Sequence, residues 1–132
     1  MIVLDASVLA NAVGDDGPDG AAARAMIAAN VDVGIPDLAN IETVAVLRKR
    51  WIARTLDDER FAAAVEDFAA FGFTRYPTLG LLRRIVELRD NVTAYDAAYV
   101  ALAEALGCEL VTGDARLARS SGHHCRIRTL TA

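Results

Sequence analysis

The sequence predicts an α/β fold, a three-layer α/β/α sandwich with a central, mainly parallel sheet. The first observation is a pair of short, continuously apolar runs, at residues 2–4 and 110–112, which are typical of strands buried on both faces. The second is that segments with a helical spacing of apolar residues separate the short apolar runs along the chain. Strands that alternate with helices in this way indicate a parallel sheet covered by helices on both faces.

Length and composition favour one domain, residues 1–132. The chain is 54% hydrophobic and 24% charged, which provides a core of useful size and excludes a disordered chain. Its formal net charge of −4 gives no general attraction for nucleic acid, which argues against a simple DNA-binding module. The two cysteines suggest no disulfide framework. Because the sequence shows neither a secretory leader nor a run of ~20 apolar residues, we expect a cytoplasmic protein with no membrane partner.

The order of elements follows from apolar runs, capping residues and breakers. Strands are expected at residues 2–4, 31–35, 73–76, 110–112 and 125–130. Helices are expected from residue 8, at 20–30, 37–54, 55–71, 78–90 and 93–107, and as a short turn at 115–119. Ser7, Asp19 and Thr93 are suited to cap helices, since their side-chain oxygens can accept a free N–H of the first turn. Gly107 is suited to end one, because glycine adopts the left-handed conformation without steric cost.

The same spacing predicts which helix faces meet the core. The inward positions of helices 37–54 and 78–90 are expected to include Leu38, Ile41, Ala45, Ile52, Leu82, Ile85 and Leu88. Trp51 is expected in the core or on a dimer surface. Glu104 falls off the apolar arc of helix 93–107 and is expected to face water.

Four acids hold positions where a carboxylate needs an explanation. Asp5 and Asp114 follow apolar strands, and Asp96 falls within the apolar arc of its helix. Glu42 lies beside the apolar stripe of helix 37–54. A carboxylate against a core is costly unless it is paired or binds a metal. Because ligands of parallel sheets sit outside the carboxyl ends of the strands, this arrangement could bring all four acids to one edge.

Such a set of acids predicts a divalent-cation site. Four carboxylates without partners would repel one another, and oxygen ligands suit Mg²⁺ and Mn²⁺. No histidine or cysteine lies among them, which argues against zinc. Two such ions roughly 3.5–4 Å apart can activate water and stabilise the leaving oxygen of a phosphodiester. The residues therefore indicate metal-dependent phosphoryl transfer, most simply by a nuclease.

Other interpretations stay open at this point. Each acid alone is equally consistent with a helix cap or with a partner for an arginine. A phosphatase of the haloacid-dehalogenase type also has an aspartate at the end of its first strand, but its chemistry needs a second acid two residues later, where this chain has Ser7. A binding module that kept the fold without catalysis is a further alternative. A dinucleotide site is not indicated, because no glycine-rich turn follows the first strand.

The motifs around these acids resemble those of a known family. Residues 2–9, IVLDASVL, look like the opening motif of PIN domains, and Glu42 stands where that family places its helix-borne acid. Residues 95–99, YDAAY, and 112–117, TGDARL, look like the family's closing motifs. The resemblance covers nearly the whole chain in the right order, and in size and motif style the chain is similar to VapC-like toxins of bacterial toxin–antitoxin pairs.

That resemblance implies a function and a set of site residues. It implies a PIN-like three-layer fold, endoribonuclease activity with Mg²⁺ or Mn²⁺, an RNA substrate, a homodimer and a small cognate antitoxin. Asp5, Glu42, Asp96 and Asp114 would be metal ligands or would hold metal-bound water, with Ser7 and Thr112 supporting them. A PIN-like RNA-processing protein that is not a toxin is the nearest alternative.

Basic residues and one departure from the family pattern bear on the substrate. Some relatives have a further acid two residues after the last aspartate, where this chain has Arg116, and this leaves the second metal less certain. The arginines that could approach an RNA backbone are Arg83, Arg84, Arg116 and Arg119. Most such side chains are solvated, but an acidic site needs some positive groups nearby to hold phosphates.

Overall fold

Five parallel strands form one sheet, in the order β3-β2-β1-β4-β5. A computed structural model describes residues 1–132. The strands are β1 (Ile2–Leu4), β2 (Val33–Pro36), β3 (Thr74–Tyr76), β4 (Glu109–Thr112) and β5 (Ile127–Thr129). Every neighbouring pair is parallel, which confirms the predicted sheet and makes it wholly rather than mainly parallel.

Helices cover the two faces of this sheet. They are α1 (Ala6–Gly14), α2 (Pro18–Ala28), α3 (Ala39–Ile52), α4 (Asp58–Ala70), α5 (Leu82–Glu87), α6 (Ala94–Leu106) and α7 (Ala115–Ala118). On one face α1 packs against α2, α3 and α4. On the other, α6 packs against α5 and against β1, β2 and β4, while the short α7 packs against β5. This is the predicted α/β/α arrangement. No helix combines the length and the apolar character needed to cross a membrane.

The centre of the sheet positions the site. All three residues of β1 are buried, as are the last three of β4, and among these six residues only Thr112 is polar. The chain leaves β1 toward β2 on one side, and β4 lies on the other side of β1. The strand order thus reverses between β1 and β4, and the crevice at such a point is where parallel sheets bind ligands. Asp5 follows β1 there, and Asp114 lies just beyond β4.

The predicted inner face of α3 is wrong. Ile41 is 75% exposed and Ile52 is 54% exposed, whereas Ala39, Thr43 and Leu47 are the residues buried against the core. The reason lies in α1: a Cβ on Gly14 would stand 2.6 Å from Leu47 Cδ2, so a glycine admits the leucine closely. Trp51 is 40% exposed and is therefore not a core residue.

Several element boundaries also differ from expectation. Asp5 rather than Ser7 caps α1, and α2 begins at Pro18, after Gly17. Proline suits this first helical position because its missing N–H would have no partner there. Residue 31 lies outside β2, which begins at Val33. The helix expected at 78–90 is a 3-10 turn, Leu79–Leu81, followed by the short α5, and Leu82 is 50% exposed instead of inward.

The two predicted ends of α6 are confirmed. The Thr93 side chain accepts a hydrogen bond from the backbone N–H of Asp96 at 3.2 Å. Gly107 follows the last turn with φ 65°, in the left-handed region. These caps fix where the helix starts, and so they fix the position of Asp96 in its first turn.

Candidate active site at the carboxyl ends of β1 and β4

Asp5 is the buried centre of the candidate site. Only 7% of it is exposed, and its side chain caps α1 by accepting the backbone N–H of Val8 at 3.2 Å on Oδ1. The same oxygen accepts the Ser7 hydroxyl at 2.6 Å, and Oδ2 accepts the Thr112 hydroxyl. Burial raises the pKa of Asp5, and these hydrogen bonds offset only part of the rise. The donors orient the carboxylate, but none of them carries a positive charge.

The hydroxyls of Ser7 and Thr112 link Asp5, at the end of β1, to the loop after β4 through hydrogen bonds. The Ser7 hydroxyl accepts the backbone N–H of Gly113 at 3.0 Å, and the Thr112 hydroxyl accepts that of Asp114, also at 3.0 Å. Each oxygen of Asp5 therefore receives one hydroxyl, and each hydroxyl receives one amide from the loop after β4. Both residues named from the sequence as supporting positions contact Asp5 directly.

Asp96 faces this centre from the first turn of α6. It is half-buried, and burial raises its pKa, as do the negative charges of Asp5 and Asp114. An acid near a helix N-terminus is also favoured by the helix dipole. The wheel placement of Asp96 within the apolar arc is consistent with this half-buried position.

Glu42 approaches from the first turn of α3 and is held by a tyrosine. Its Oε1 accepts the hydroxyl of Tyr99 at 2.7 Å, and Tyr99 itself is 1% exposed. Burial raises the pKa of Glu42, the Tyr99 hydrogen bond opposes the rise, and the charges of Asp96 and Asp5 add to it. Tyr99 belongs to the YDAAY motif at residues 95–99, but the motif does not predict its contact with Glu42. The available signal was its polar hydroxyl on a deeply buried face, since such groups usually have a partner.

Asp114 lies just beyond β4, at the start of α7. Its side chain caps the short α7 by accepting the backbone N–H of Arg116 at 2.8 Å. The guanidinium Nε of Arg116 lies 3.6 Å from the same carboxylate oxygen, which is a loose ion pair. Asp114 is thus the one acid of the four with an arginine beside it.

The four acids share one edge of the sheet without forming a preassembled metal cluster. The negative charges of Asp96 and Asp5 add to the raised pKa of Glu42, and those of Asp5 and Asp114 add to the raised pKa of Asp96. No group of three Asp, Glu, His or Cys side chains is arranged to hold a metal ion. The donor chemistry is nevertheless that of a hard cation, because all four groups offer carboxylate oxygens. Their assignment as ligands stays a prediction.

A groove of about 510 Å³ opens beside Asp96 and Asp114. Its wall also carries Arg89 and Arg116, so acidic and basic side chains face the same space. Apolar side chains are few there, which distinguishes this groove from an ordinary small-molecule pocket.

Glu104, by contrast, does not face water as expected. Its carboxylate accepts two hydrogen bonds from Arg84, at 2.7 and 3.1 Å, and the backbone N–H of His124 at 2.5 Å. Arg84 also donates to the carbonyl of Gly122 at 2.7 Å. This arginine is therefore engaged within the fold, and the candidate RNA contacts named from the sequence lose one member.

Comparisons with known proteins agree with this architecture. The family model described as PIN domain matches residues 2–122. Ribonuclease VapC9 of Mycobacterium tuberculosis is 42% identical over 127 residues, which cover 96% of each chain.

Solved structures are similar over most of the chain. PAE2754 from Pyrobaculum aerophilum superposes with a TM-score of 0.66 and 26% identity, covering 96% of this chain and 82% of that one. VapBC2 from Rickettsia felis, in a structure bound to a DNA fragment from their promoter, gives a TM-score of 0.70 at 14% identity, covering 99% and 100%, which shows the shared fold alone. The match across 2–122 and the full-length likeness to VapC9 confirm the family expected from the motifs: this chain belongs to the PIN-domain family and, within it, to the VapC group.

Proposed function

We propose that this chain is an Mg²⁺- or Mn²⁺-dependent endoribonuclease that acts as the toxin of a toxin–antitoxin pair. The observation that carries the proposal is the buried carboxylate of Asp5 at the carboxyl edge of the sheet, whose hydrogen-bond donors are all uncharged, in a chain of the VapC group. Its relatives are named ribonucleases, and we extend that activity to this chain.

Asp5, Glu42, Asp96 and Asp114 would hold the cation. The chemistry that a bound divalent cation supplies is activation of water and neutralisation of charge at a phosphodiester. The chain's own contribution is to orient these carboxylates: two hydroxyls and an amide fix Asp5, and Tyr99 fixes Glu42. Raised pKa values are the expected sign of acids that await a positive partner.

The burial of Asp5 and its lack of a counter-ion support a metal rather than a structural role for this acid. Asp5 is almost fully buried, yet its donors are two hydroxyls and an amide, so its negative charge has no counter-ion within the chain. A buried charge without a counter-ion is unfavourable unless an external cation binds.

A phosphatase of the haloacid-dehalogenase type is not supported, because the group two residues after Asp5 is a hydroxyl that holds Asp5 and cannot serve as a second acid.

The direct test is digestion of RNA by the purified chain, free of any partner. Total RNA incubated with Mg²⁺ or Mn²⁺ should be cut into discrete fragments, and EDTA should stop the cutting. Asp5→Asn, purified in parallel, excludes a contaminating nuclease, and Asp67→Asn on the exposed surface of α4 serves as the matched control. Intact RNA after incubation with folded parent protein and either metal would refute the proposed activity.

An antitoxin and a second copy of the chain are the proposed protein partners. Apolar residues of α3 are exposed, notably Ile41 and Ile52, and a groove of about 710 Å³ beside Trp51 lies where α3 meets the start of α4. An amphipathic antitoxin segment could seat its apolar face there, and the exposed face of α3 offers surface for a homodimer.

Growth of bacteria tests the toxin role. Controlled expression of the parent should arrest growth, Asp5→Asn should not, and co-expression of the neighbouring reading frame should restore growth. Harmless expression of a parent that cuts RNA in vitro would leave a PIN-domain nuclease with another role.

A further inference from the structure

We propose that Arg89 and Arg116 hold the phosphate backbone of a single RNA strand in the groove beside Asp96 and Asp114. The inference rests on the proposed ribonuclease function and names the substrate contacts of that same site. It concerns these two arginines because they are the basic residues that line this groove.

The structure divides the arginines into engaged and available groups. Six donate hydrogen bonds from their side chains to groups in other segments of the chain, namely Arg24, Arg50, Arg60, Arg75, Arg84 and Arg128. Arg126 forms only a loose ion pair with Glu109, at 3.9 Å, and lies outside the groove wall. Arg83 and Arg119 are exposed but lie outside the groove wall. Engagement within the fold removes a guanidinium from substrate binding, so the two groove arginines are the candidates that remain at the site.

The side chain of Arg116 is largely free to bind a ligand. Its side chain is 86% exposed, and its ion pair with Asp114 is loose, at 3.6 Å. A guanidinium has five N–H donors, so one such contact leaves most of them free for phosphate oxygens. The positive charge of Arg116 opposes part of the rise in the pKa of Asp96 that burial and the charges of Asp5 and Asp114 cause.

Arg89 provides the second cation. It uses one donor on the nearby carbonyl of Val86, at 3.0 Å, and otherwise faces solvent. Neutral hydrogen-bonding side chains complete the wall, contributed by Asn91, Thr93 and Ser120.

The charge balance of the groove explains why these cations are needed. Asp90, Asp96 and Asp114 also line it, and their carboxylates repel a polyanion. Two arginines on the same wall offset that repulsion and place phosphates next to the proposed reaction centre.

The test measures RNA binding separately from cleavage. In an Asp5→Asn background, which prevents cutting, a fluorescent single-stranded RNA is titrated from about 50 to 200 mM salt. Arg89→Ala and Arg116→Ala should each weaken binding about tenfold and each reduce the slope of log affinity against log salt by about 0.7. Arg116→Lys keeps the charge and should retain the parent slope. Arg83→Ala and Arg119→Ala are the matched controls and should change neither quantity.

The outcomes separate this inference from the proposed function. If Arg89→Ala and Arg116→Ala keep the parent's affinity and slope while the parent cuts RNA, the arginine assignment is overturned and the ribonuclease stands. If the controls lose as much affinity as the groove variants, the effect is general charge and the assignment is again overturned. If binding depends on the two arginines as expected but the parent never cuts RNA, the groove is supported and the nuclease proposal fails.

Discussion

Two acids of this molecule, Asp5 and Glu104, have different hydrogen-bond donors and opposite pKa shifts. Asp5 lies at the end of β1 among hydroxyls and an amide, and burial raises its pKa. Glu104 lies on α6, where burial alone would also raise its pKa, but Arg84 and the amide of His124 outweigh that effect and lower it. One carboxylate is left charged without a counter-ion, and the other is neutralised by the chain itself.

The difference shows how the fold separates function from stability. Neutral donors fix the direction of a carboxylate without reducing its charge, so Asp5 remains able to attract a cation from outside. A guanidinium fixes the direction and also cancels the charge, so Glu104 fastens α5, α6 and the loop at 122–124 to one another. The acids with raised pKa values are therefore the ones to test for activity, and the paired acid is the one to test for stability.

The largest expected effect is the loss of RNA cleavage when Asp5 or Asp96 is replaced. Asp5→Asn and Asp96→Asn keep side-chain shape and remove charge, so each should lower RNA cleavage by a factor of at least about 100. Glu104→Gln should leave cleavage per folded molecule unchanged. Gel assays with equal amounts of folded protein make the comparison. An Asp96→Asn variant that cuts like the parent would remove Asp96 from the site.

A smaller loss is expected when the contact to Glu42 is removed. Tyr99→Phe deletes the hydroxyl that donates to Glu42 at 2.7 Å while keeping the buried ring. Glu42 would lose its fixed orientation, and cleavage should fall about tenfold, as for groups that orient ligands. Mn²⁺ binding, followed by the electron paramagnetic resonance of the free ion, should weaken in parallel. Tyr95→Phe is the control, since Tyr95 is 63% exposed on the same helix.

Removing the arginine that pairs with Glu104 should lower the stability of the fold without changing RNA cleavage per folded molecule. Arg84→Ala leaves Glu104 without its guanidinium, and the free energy of unfolding should fall by about 1–2 kcal/mol. Arg83→Ala, at the exposed neighbouring position, should change it very little. Chemical denaturation measures both. Equal stability of the two variants would mean that the Arg84–Glu104 pair contributes nothing measurable.

The smallest expected effect is on how the stability of the metal-free protein depends on pH when Asp5 or Glu104 is replaced. The raised pKa of Asp5 means that its charge costs stability above that pKa, and the cost disappears as the pH falls toward the ordinary value of 3.8. Asp5→Asn should therefore be more stable than the parent at neutral pH, with a margin that shrinks on acidification. The lowered pKa of Glu104 has the opposite sign: its contribution is present above the ordinary value of 4.5 and is lost as the pH falls through its lowered pKa. Thermal melts of the parent, Asp5→Asn and Glu104→Gln in EDTA across pH measure these differences. If the stability of both variants relative to the parent changed with pH in the same direction, the opposite signs assigned to Asp5 and Glu104 would be wrong.

Local signals in the sequence predicted the parts of the fold that depend on near neighbours. The caps at Thr93 and Gly107 and the apolar strands β1 and β4 are encoded within a few residues, and the structure confirms them. The inner face of α3 depends instead on the fit of Leu47 against Gly14, 33 positions apart, which helical spacing cannot reveal. Ile41 looked buried because it is apolar, yet a protein surface always retains some apolar residues.

The candidate site shows the same division. The motifs predict the four acids and the two hydroxyl residues as a site, an assignment that stays a prediction, and the structure places both hydroxyls on Asp5 and the acids within reach of one another's charge. The contact from Tyr99 to Glu42 spans 57 positions and joins two helices, and the pairing of Glu104 with Arg84 likewise depends on how α5 lies on α6. Side-chain partners of this kind follow from packing, which no local pattern specifies.

The two hydroxyls that hold Asp5 give the molecule a spectroscopic reporter. Ser7 and Thr112 donate to the carboxylate and at the same time accept the amides of Gly113 and Asp114. A hydroxyl that donates to an anion becomes a stronger acceptor, so each amide senses the charge on Asp5 through one intervening oxygen. The proton chemical shifts of these two amides should therefore move together whenever that charge is neutralised, and nuclear magnetic resonance can follow the buried acid from the loop that surrounds it.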